Sequence, residues 1–306
     1  MNSSITPTAR NLSSNALGAI FMMLSMAGFV LNDTLMKLVA DELSLFQAIL
    51  VRGVFASFFM VLLCAYMGVF KVEGGILSVL RHKTVMLRTV GEAGGTYFFL
   101  SALFEMPIAN VTAVLQILPL TITLAAALFL GETVGWRRYG AIIVGFLGVL
   151  LIVKPGTDGF NFFAIYALIS TGFITLRDLV TRKMPANIPS LLVSLVTAVV
   201  ITAMGAFGSL FEPWHPVSGS QVVILFGAAA ILMVGYICSI LAMRDGEVSF
   251  VSPFRYSILI WALVLGFFVF GDVPDGWSML GAVIIVASGL FTFYRERLVA
   301  KKSETS

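Results

Sequence analysis

Ten apolar stretches recur along the chain, at about 16–37, 45–68, 84–105, 109–130, 136–153, 160–182, 188–210, 219–242, 248–270 and 277–295. Each is long enough to cross a bilayer as a helix, which takes roughly 17–25 residues. Inside hydrocarbon no water satisfies a free N–H or C=O, so such runs are helical; barrel strands would be about half as long and alternate in polarity. Composition agrees, with 59% of the 306 residues hydrophobic and 11% charged, against roughly 25% charged in soluble domains. The mean hydropathy is +1.00. The fold class is therefore an all-α integral membrane protein with ten transmembrane helices. Ser25-Met26-Ala27 loosely resembles a signal-peptidase site. Apolar sequence continues beyond it, however, and the first span reads as a retained helix.

The lysines and arginines that lie outside the span interiors fall almost entirely in alternate connectors and the tails. One set holds Arg10, Lys71, Arg81, Lys83, Arg137, Arg138, Lys183, Arg244, Arg295, Arg297, Lys301 and Lys302. The other holds little more than Lys37 and Lys154, beside Glu212, Asp272 and Asp275. By the positive-inside rule both termini are cytoplasmic. A net charge of +3 is too small to argue for nucleic acid, so the expected partners are the lipid bilayer and a small-molecule substrate. Cys64 and Cys238 lie in apolar runs and read as packing residues. His82 and His215 stand in connectors without an acidic or cysteine cluster. No metal, cofactor or catalytic residue is expected.

The chain also echoes itself. GAIIVGFLGVLL from Gly140 is matched by GAVIIVASGLFT from Gly281, and FLGETVGW from Phe129 by VFGDVPDGW from Val269. FEMPIANVTAV from Phe104 and MRDGEVSFVSP from Met243 occupy matching places between spans. NDTLMK from Asn32 is echoed by RDLVTR from Arg177, each with an acid followed four positions later by a base. Residues 1–155 and 156–306 thus read as two five-helix units. Five being odd, the second unit starts on the opposite side of the membrane. The result is an inverted repeat, a plan characteristic of alternating-access transporters with a midplane substrate site.

Pro119, Leu130-Gly131-Glu132 and the helix from Gly140 to Gly148 resemble the EamA-type members of the drug/metabolite transporter superfamily. The length, the ten spans and the 5+5 plan extend that resemblance over nearly the whole chain. It implies a central cavity lined by helices 1–4 and 6–9, with helices 5 and 10 at the periphery. It also implies transport of small metabolites, often amino acids, nucleotide-like or amine compounds. Asp272 stands where the first half has Glu132, so these two positions need not play identical parts.

Ionisable residues inside the spans are the candidate site, since a charge in hydrocarbon costs about 2.5–3.5 kcal/mol on insertion scales. Asp33 and Lys37 fall near one mouth of the bundle, Asp178 and Arg182 near the other. They read either as paired gates or as i,i+4 ion pairs that snorkel to the interface. Arg52 lies about seven residues into helix 2, hence about 10 Å deep. Arg255 is similarly deep in helix 9; Glu92 is in helix 3, one turn after Arg88. Glu92 and Arg255 are placed to pair across the halves. The arginines would hold an anionic group and Glu92 a cation or proton, or the three would form a structural network. Tyr97, Gln116, Tyr236, Tyr256 and Trp261 add polar and aromatic faces inside spans, with packing as the competing role. Pro119, Pro253 and Gly94-Gly95 are expected to loosen their helices. The glycine-rich helices 5 and 10 offer a face either to a second protomer, as in a homodimer, or to each other.

The reading is a secondary active or exchange transporter of a small polar metabolite in a bacterial cytoplasmic (inner) membrane, working by alternating access. Mixed interior charge suits a zwitterion such as an amino acid, and analogy with family members adds S-adenosylmethionine-type compounds. The alternatives are a membrane-embedded enzyme, for which two histidines give little chemistry, and a channel, for which no repeated selectivity element is present.

Overall fold

The structure, a computed structural model, describes residues 7–70, 75–131, 135–156, 160–185, 187–245 and 248–304. Among them there is no strand. The helices are α1 (Pro7–Leu38), α2 (Leu45–Tyr66), short α3 (Gly75–Arg81), α4 (Lys83–Glu105), α5 (Ile108–Leu115), α6 (Leu118–Leu130) and α7 (Trp136–Val153). They continue with α8 (Phe163–Arg182), α9 (Ser190–Gly208), α10 (Gly219–Asp245), α11 (Val248–Val251), α12 (Ser257–Leu265) and α13 (Gly276–Glu304). A 3-10 turn, Ser252–Tyr256, precedes α12, and a π turn, Gly266–Phe270, follows it. Among the described residues nine segments are long and apolar enough to cross a membrane. The 23-residue α4 has the length but carries Lys83, Arg88, Glu92 and Glu105, and it forms the remaining column of the bundle.

Two columns are broken where the sequence puts proline inside an apolar run. α5 and α6 meet at Gln116 and Ile117, whose N–H groups turn to Ala113 and Val114 in tightened i→i−3 bonds. Pro119 has no N–H to continue the regular ladder, and its ring would crowd the carbonyl one turn back. Pro253 sits in the corresponding 3-10 turn of the ninth column. The Gly94-Gly95 pair behaves differently from expectation, for α4 runs through it unbroken. Gly131 and Gly271, in the two FLG and VFG echoes, both end their columns in the left-handed conformation, at φ 70°. Glycine takes that conformation without a Cβ clash. Glu132, which stands in the first half where the second has Asp272, lies outside the described residues.

Four seams hold the columns together: α1 with α10, α4 with α8, α2 with α9 and α7 with α13. All four rely on small residues that let backbones approach, the usual solution where lipid removes the hydrophobic drive between helices. A Cβ at Gly148 would lie 2.8 Å from the Gly281 carbonyl, so this pair of glycines closes the α7–α13 seam within one chain. A Cβ at Gly205 would meet the Leu50 nitrogen at 2.7 Å in the α2–α9 seam. In the other two seams a serine crosses to a glycine carbonyl: Ser25 Oγ donates to Gly235 at 2.8 Å, and Ser170 Oγ to Gly95 at 2.9 Å.

The end of the bundle opposite the termini is sealed. Val39, Leu43, Ile49, Leu100, Leu103 and Ile108 are buried there in one cluster. Around them, Gln47 and the His215 backbone exchange two hydrogen bonds, Nε2 to the carbonyl at 2.5 Å and N–H to Oε1 at 3.2 Å. Gln221 donates to Glu42, and Lys37 donates to the carbonyls of Leu103 and Met106.

At the same end Asp275 caps α13, accepting from the N–H groups of Trp277 and Ser278 at 3.0 and 3.2 Å. It also pairs with Lys154 at 2.6 Å, clipping α7 to α13. The Lys154 bond, joined by those from Ser278, holds the Asp275 carboxyl well below its ordinary range. The contribution is therefore complete above the unfolded carboxylate range near 3.9 and fades as pH falls through and below it. Both side chains are partly exposed, which keeps the pair within about 1 kcal/mol. Asp275→Asn, which retains the cap, is expected to lower the melting temperature slightly at pH 7. It should match the parent protein in strong acid, as a thermal-unfolding series in detergent would register.

Candidate functional site

The α4–α8 seam positions the charged interior. Gly91, Gly94 and Gly95 lie on the α4 face toward α8; a Cβ at Gly94 would sit 2.5 Å from the Phe173 ring, and one at Gly91 3.0 Å from Arg177. This close approach sets Arg177 of α8 over Glu92 of α4. Arg177 Nη1 meets Glu92 Oε1 at 3.0 Å, while its Nε donates to Asp178 at 2.8 Å. Arg88 approaches Glu92 from the other side at 3.7 Å and donates to Thr197 at 3.0 Å and Thr181 at 3.2 Å. Between α1 and α2, Arg52 donates to Asn32 at 3.3 Å, and Asn32 in turn donates to Asp33 at 2.9 Å. Arg52 is 8% exposed, and its Nε has no protein partner.

Two cavities meet around these groups, sharing Asp33 and Phe99 as walls. The smaller, about 190 Å³, is lined by Asn32, Arg52, Arg88, Glu92 and Tyr236 together with apolar groups. The larger, about 360 Å³, carries Gln116, Arg177, Asp178, Arg182, Arg255 and Tyr256. It extends along α6, α8 and α13 to Thr292 and Phe293, toward the end of the bundle that bears the termini. Thus α13 contributes to the lining, where the family resemblance implies a tenth helix at the periphery. The Tyr256 hydroxyl fits over Gly289, where a Cβ would stand 1.8 Å from it. The larger falls within the roughly 300–1,000 Å³ typical of small-molecule pockets, and the smaller lies below it.

Of the sequence-predicted residues, Arg52, Glu92, Gln116, Tyr236, Arg255 and Tyr256 all line these cavities. Tyr97 does not: it stacks on Phe46 at 5.5 Å and abuts Phe98. Trp261, on α12, is 36% exposed and lines neither cavity. The expected Glu92–Arg255 pair is not formed, because Arg177 occupies Glu92. In the first gate cluster Asp33 and Lys37 take separate partners instead of the i,i+4 pair that was one of its two readings. Lys37 turns to backbone carbonyls and the Phe270 ring, Asp33 is held by Asn32, and Asp178 by Arg177. Lys37 sits in the sealed end, whereas Asp33, Asp178 and Arg182 line the cavity.

Sequence reasoning passed over Arg177 and Asn32 as site residues. The signal was present, since both stand one position before an intramembrane aspartate in the two echoed hexapeptides. Their role depends on which neighbouring helix supplies a partner, and spacing along one helix does not reveal that. Among the described residues no group of three or more metal-ligating side chains gathers.

A bundle of membrane-length helices around a charged interior of metabolite size is that of a multi-pass small-molecule transporter. The chain belongs to the EamA-like transporter family, which it matches over residues 16–154 and 161–294, and with it to the drug/metabolite transporter superfamily. It is 26% identical over 293 residues to an "S-adenosylmethionine uptake transporter" of Rickettsia felis, covering 94% of this chain and 96% of that one. It is 30% identical over 208 residues to a "Riboflavin transporter" of Vibrio cholerae, covering 67% and 70%. A "Pseudopaline exporter CntI" of Pseudomonas aeruginosa is 23% identical over 283 residues, covering 89% and 94%. A solved crystal structure shares the fold, with a TM-score of 0.59 at 19% identity, covering 91% of this chain and 96% of that one. Transport, not enzymatic turnover, is the family's activity.

Glu92 accepts from Arg177 and faces Arg88, so removing its charge weakens both contacts, although Arg177 keeps Asp178 and Arg88 keeps Thr197 and Thr181. A hydrogen bond to a charged group contributes about 1.5–3 kcal/mol. Glu92→Gln is expected to lower thermal stability by an amount in that range, and a further Arg177→Gln to restore part of it. A double-mutant cycle in detergent checks this; strictly additive losses would mean that the two side chains do not interact.

Proposed function

We propose that the protein moves a small, carboxylate-bearing polar metabolite, amino-acid-like or otherwise zwitterionic, across a bacterial inner membrane by alternating access. The observation that carries this reading is the combined charge lining the two adjoining cavities. Five arginines (52, 88, 177, 182 and 255) face three carboxylates (Asp33, Glu92 and Asp178), an excess of two positive charges. In a low-dielectric interior that excess favours a ligand bringing a carboxylate and disfavours a purely cationic one. Arg52, with one guanidinium nitrogen lacking a protein partner, and Arg255, whose side chain reaches solvent, are proposed to receive the carboxylate. Glu92 and Asp178 are then left for an ammonium or sulfonium group. The relatives named for S-adenosylmethionine, which joins a carboxylate to two cationic groups, place that compound in the first test panel beside amino acids and riboflavin.

The two-state mechanism rests on pairing. Exchanging each column for the one five places later turns the α1–α10 seam into the α8–α4 seam and leaves α2–α9 and α7–α13 unchanged. The Ser25–Gly235 and Ser170–Gly95 bonds exchange in the same way. This supports residues 1–155 and 156–306 as two inverted five-helix units related by a pseudo-two-fold axis, with both termini cytoplasmic by their basic connectors. In that orientation the sealed end faces outward and the larger cavity faces the cytoplasm. Lys37 with the Gln47–His215 clasp then acts as the outer gate, and Asp33, Asp178 and Arg182 move as the walls between states.

Proteoliposome counterflow with the panel above tests the reading. A labelled zwitterion should enter faster when unlabelled ligand waits inside, which a channel would not show. Arg255→Gln should weaken half-saturation by roughly 10- to 150-fold, corresponding to a charge-assisted hydrogen bond of about 1.5–3 kcal/mol. Equal flux of the same compounds with their carboxylate amidated would refute the charge assignment.

A further inference from the structure

A third cavity has no part in the pathway. It is a groove of about 670 Å³ on the flank of the bundle between α7 and α13, bounded by Trp136, Arg137, Gly140, Val144, Phe291 and Arg295 among others. Arg137 lies in the first turn of α7, and Arg295 closes the membrane-length part of α13. The two guanidinium groups therefore stand at the same edge of the apolar slab, at the end of the bundle that bears the termini. Arg137 lies 5.4 Å from the centroid of the Trp136 ring, an aromatic of the kind that anchors at headgroup level. From that edge the groove runs inward along an apolar wall. Gly140 widens it, for a Cβ there would have nothing within 4 Å, in contrast to the closely packed Gly145 and Gly148 on the same helix. Among the described residues no carboxylate lines the groove.

We infer that this groove is a binding site for an anionic glycerophospholipid, with its phosphate between Arg137 and Arg295 and an acyl chain in the slot beside Gly140. Two cations at the slab edge over an apolar slot match a molecule with charge at one end and hydrocarbon at the other. Basic pockets between helices on the cytoplasmic side recognise lipid headgroups by this chemistry. The occupant is a lipid and not free phosphate, because most of the groove is an apolar trough. Bound there, the lipid would brace the α7–α13 pair.

The probe is phosphatidylglycerol, scored by native mass spectrometry on purified protein against phosphatidylcholine of the same chains. The parent protein is expected to retain phosphatidylglycerol at least tenfold over phosphatidylcholine. Arg137→Gln with Arg295→Gln should abolish that preference. Gly140→Leu, which leaves both arginines in place, should reduce retention of both lipids by filling the slot. Monodisperse elution and an unchanged circular-dichroism spectrum control for folding. Undiminished retention in both variants would overturn the inference. So would full displacement by soluble glycerol 3-phosphate, which would make this an anion site, or a dimer that Gly140→Leu dissociates, which would make it an interface between two copies.

Discussion

The close approach of α4 to α8 is the constraint on which the interior depends. Three α4 glycines remove the side chains that would hold the helices apart, so that Phe173, Ile174 and Arg177 of α8 lie almost on the α4 backbone. At that separation an arginine on one helix reaches a glutamate on the other directly. Replace the glycines by ordinary residues and Glu92 would face a gap wide enough for water. The same packing device recurs between α1 and α10, where Gly28 would put a Cβ 3.3 Å from Gly235, and it brings Asn32 and Asp33 to the opposite wall of the cavity. The small residues are what make a charged interior geometrically accessible in a membrane.

Charges kept inside a bilayer have to be satisfied and still remain available for exchange. Arg177 is shared between Glu92 and Asp178, and Arg88 between Glu92 and two threonine hydroxyls. Such shared contacts are easily reapportioned when a ligand brings its own carboxylate or cation, because no group needs to become bare. The broken fourth and ninth columns supply backbone that can bend beside this network, with Gln116 and Arg255 at the two breaks. The sealed end, by contrast, combines buried aliphatic packing with bidentate polar clasps.

Much of the architecture was legible in the chain itself. Hydrocarbon tolerates only self-satisfied backbone, so ten apolar runs marked the helices to within a few residues, α4 included despite its charges. The exceptions are the start of α1 and the end of α13, where polar turns extend each helix by nine residues beyond its apolar run. Proline at 119 and 253 marked both breaks, since a missing N–H acts locally. The glycine pair at 94–95 was read as flexibility and proved to be contact: a glycine in a helix weakens it and admits a neighbour, and only the neighbour decides which matters. Arg52, Glu92, Gln116, Tyr236, Arg255 and Tyr256 were recognisable as cavity residues because polar groups in lipid must turn inward. Tyr97 and Trp261 were not distinguishable from them, aromatic rings being equally at home against other rings or in lipid.

What the sequence determined by itself, then, was the set of helices, their breaks and the class of side chain held within them, all consequences of local backbone chemistry and of the bilayer as solvent. The tertiary structure decided the partners. It gave Glu92 to Arg177 instead of Arg255, turned Lys37 away from Asp33 toward the end of α4, and packed Gly148 of α7 on Gly281 of α13 within the chain. Each of these depends on the distance and rotation between helices remote in sequence, which are set by the summed fit of small residues along whole seams.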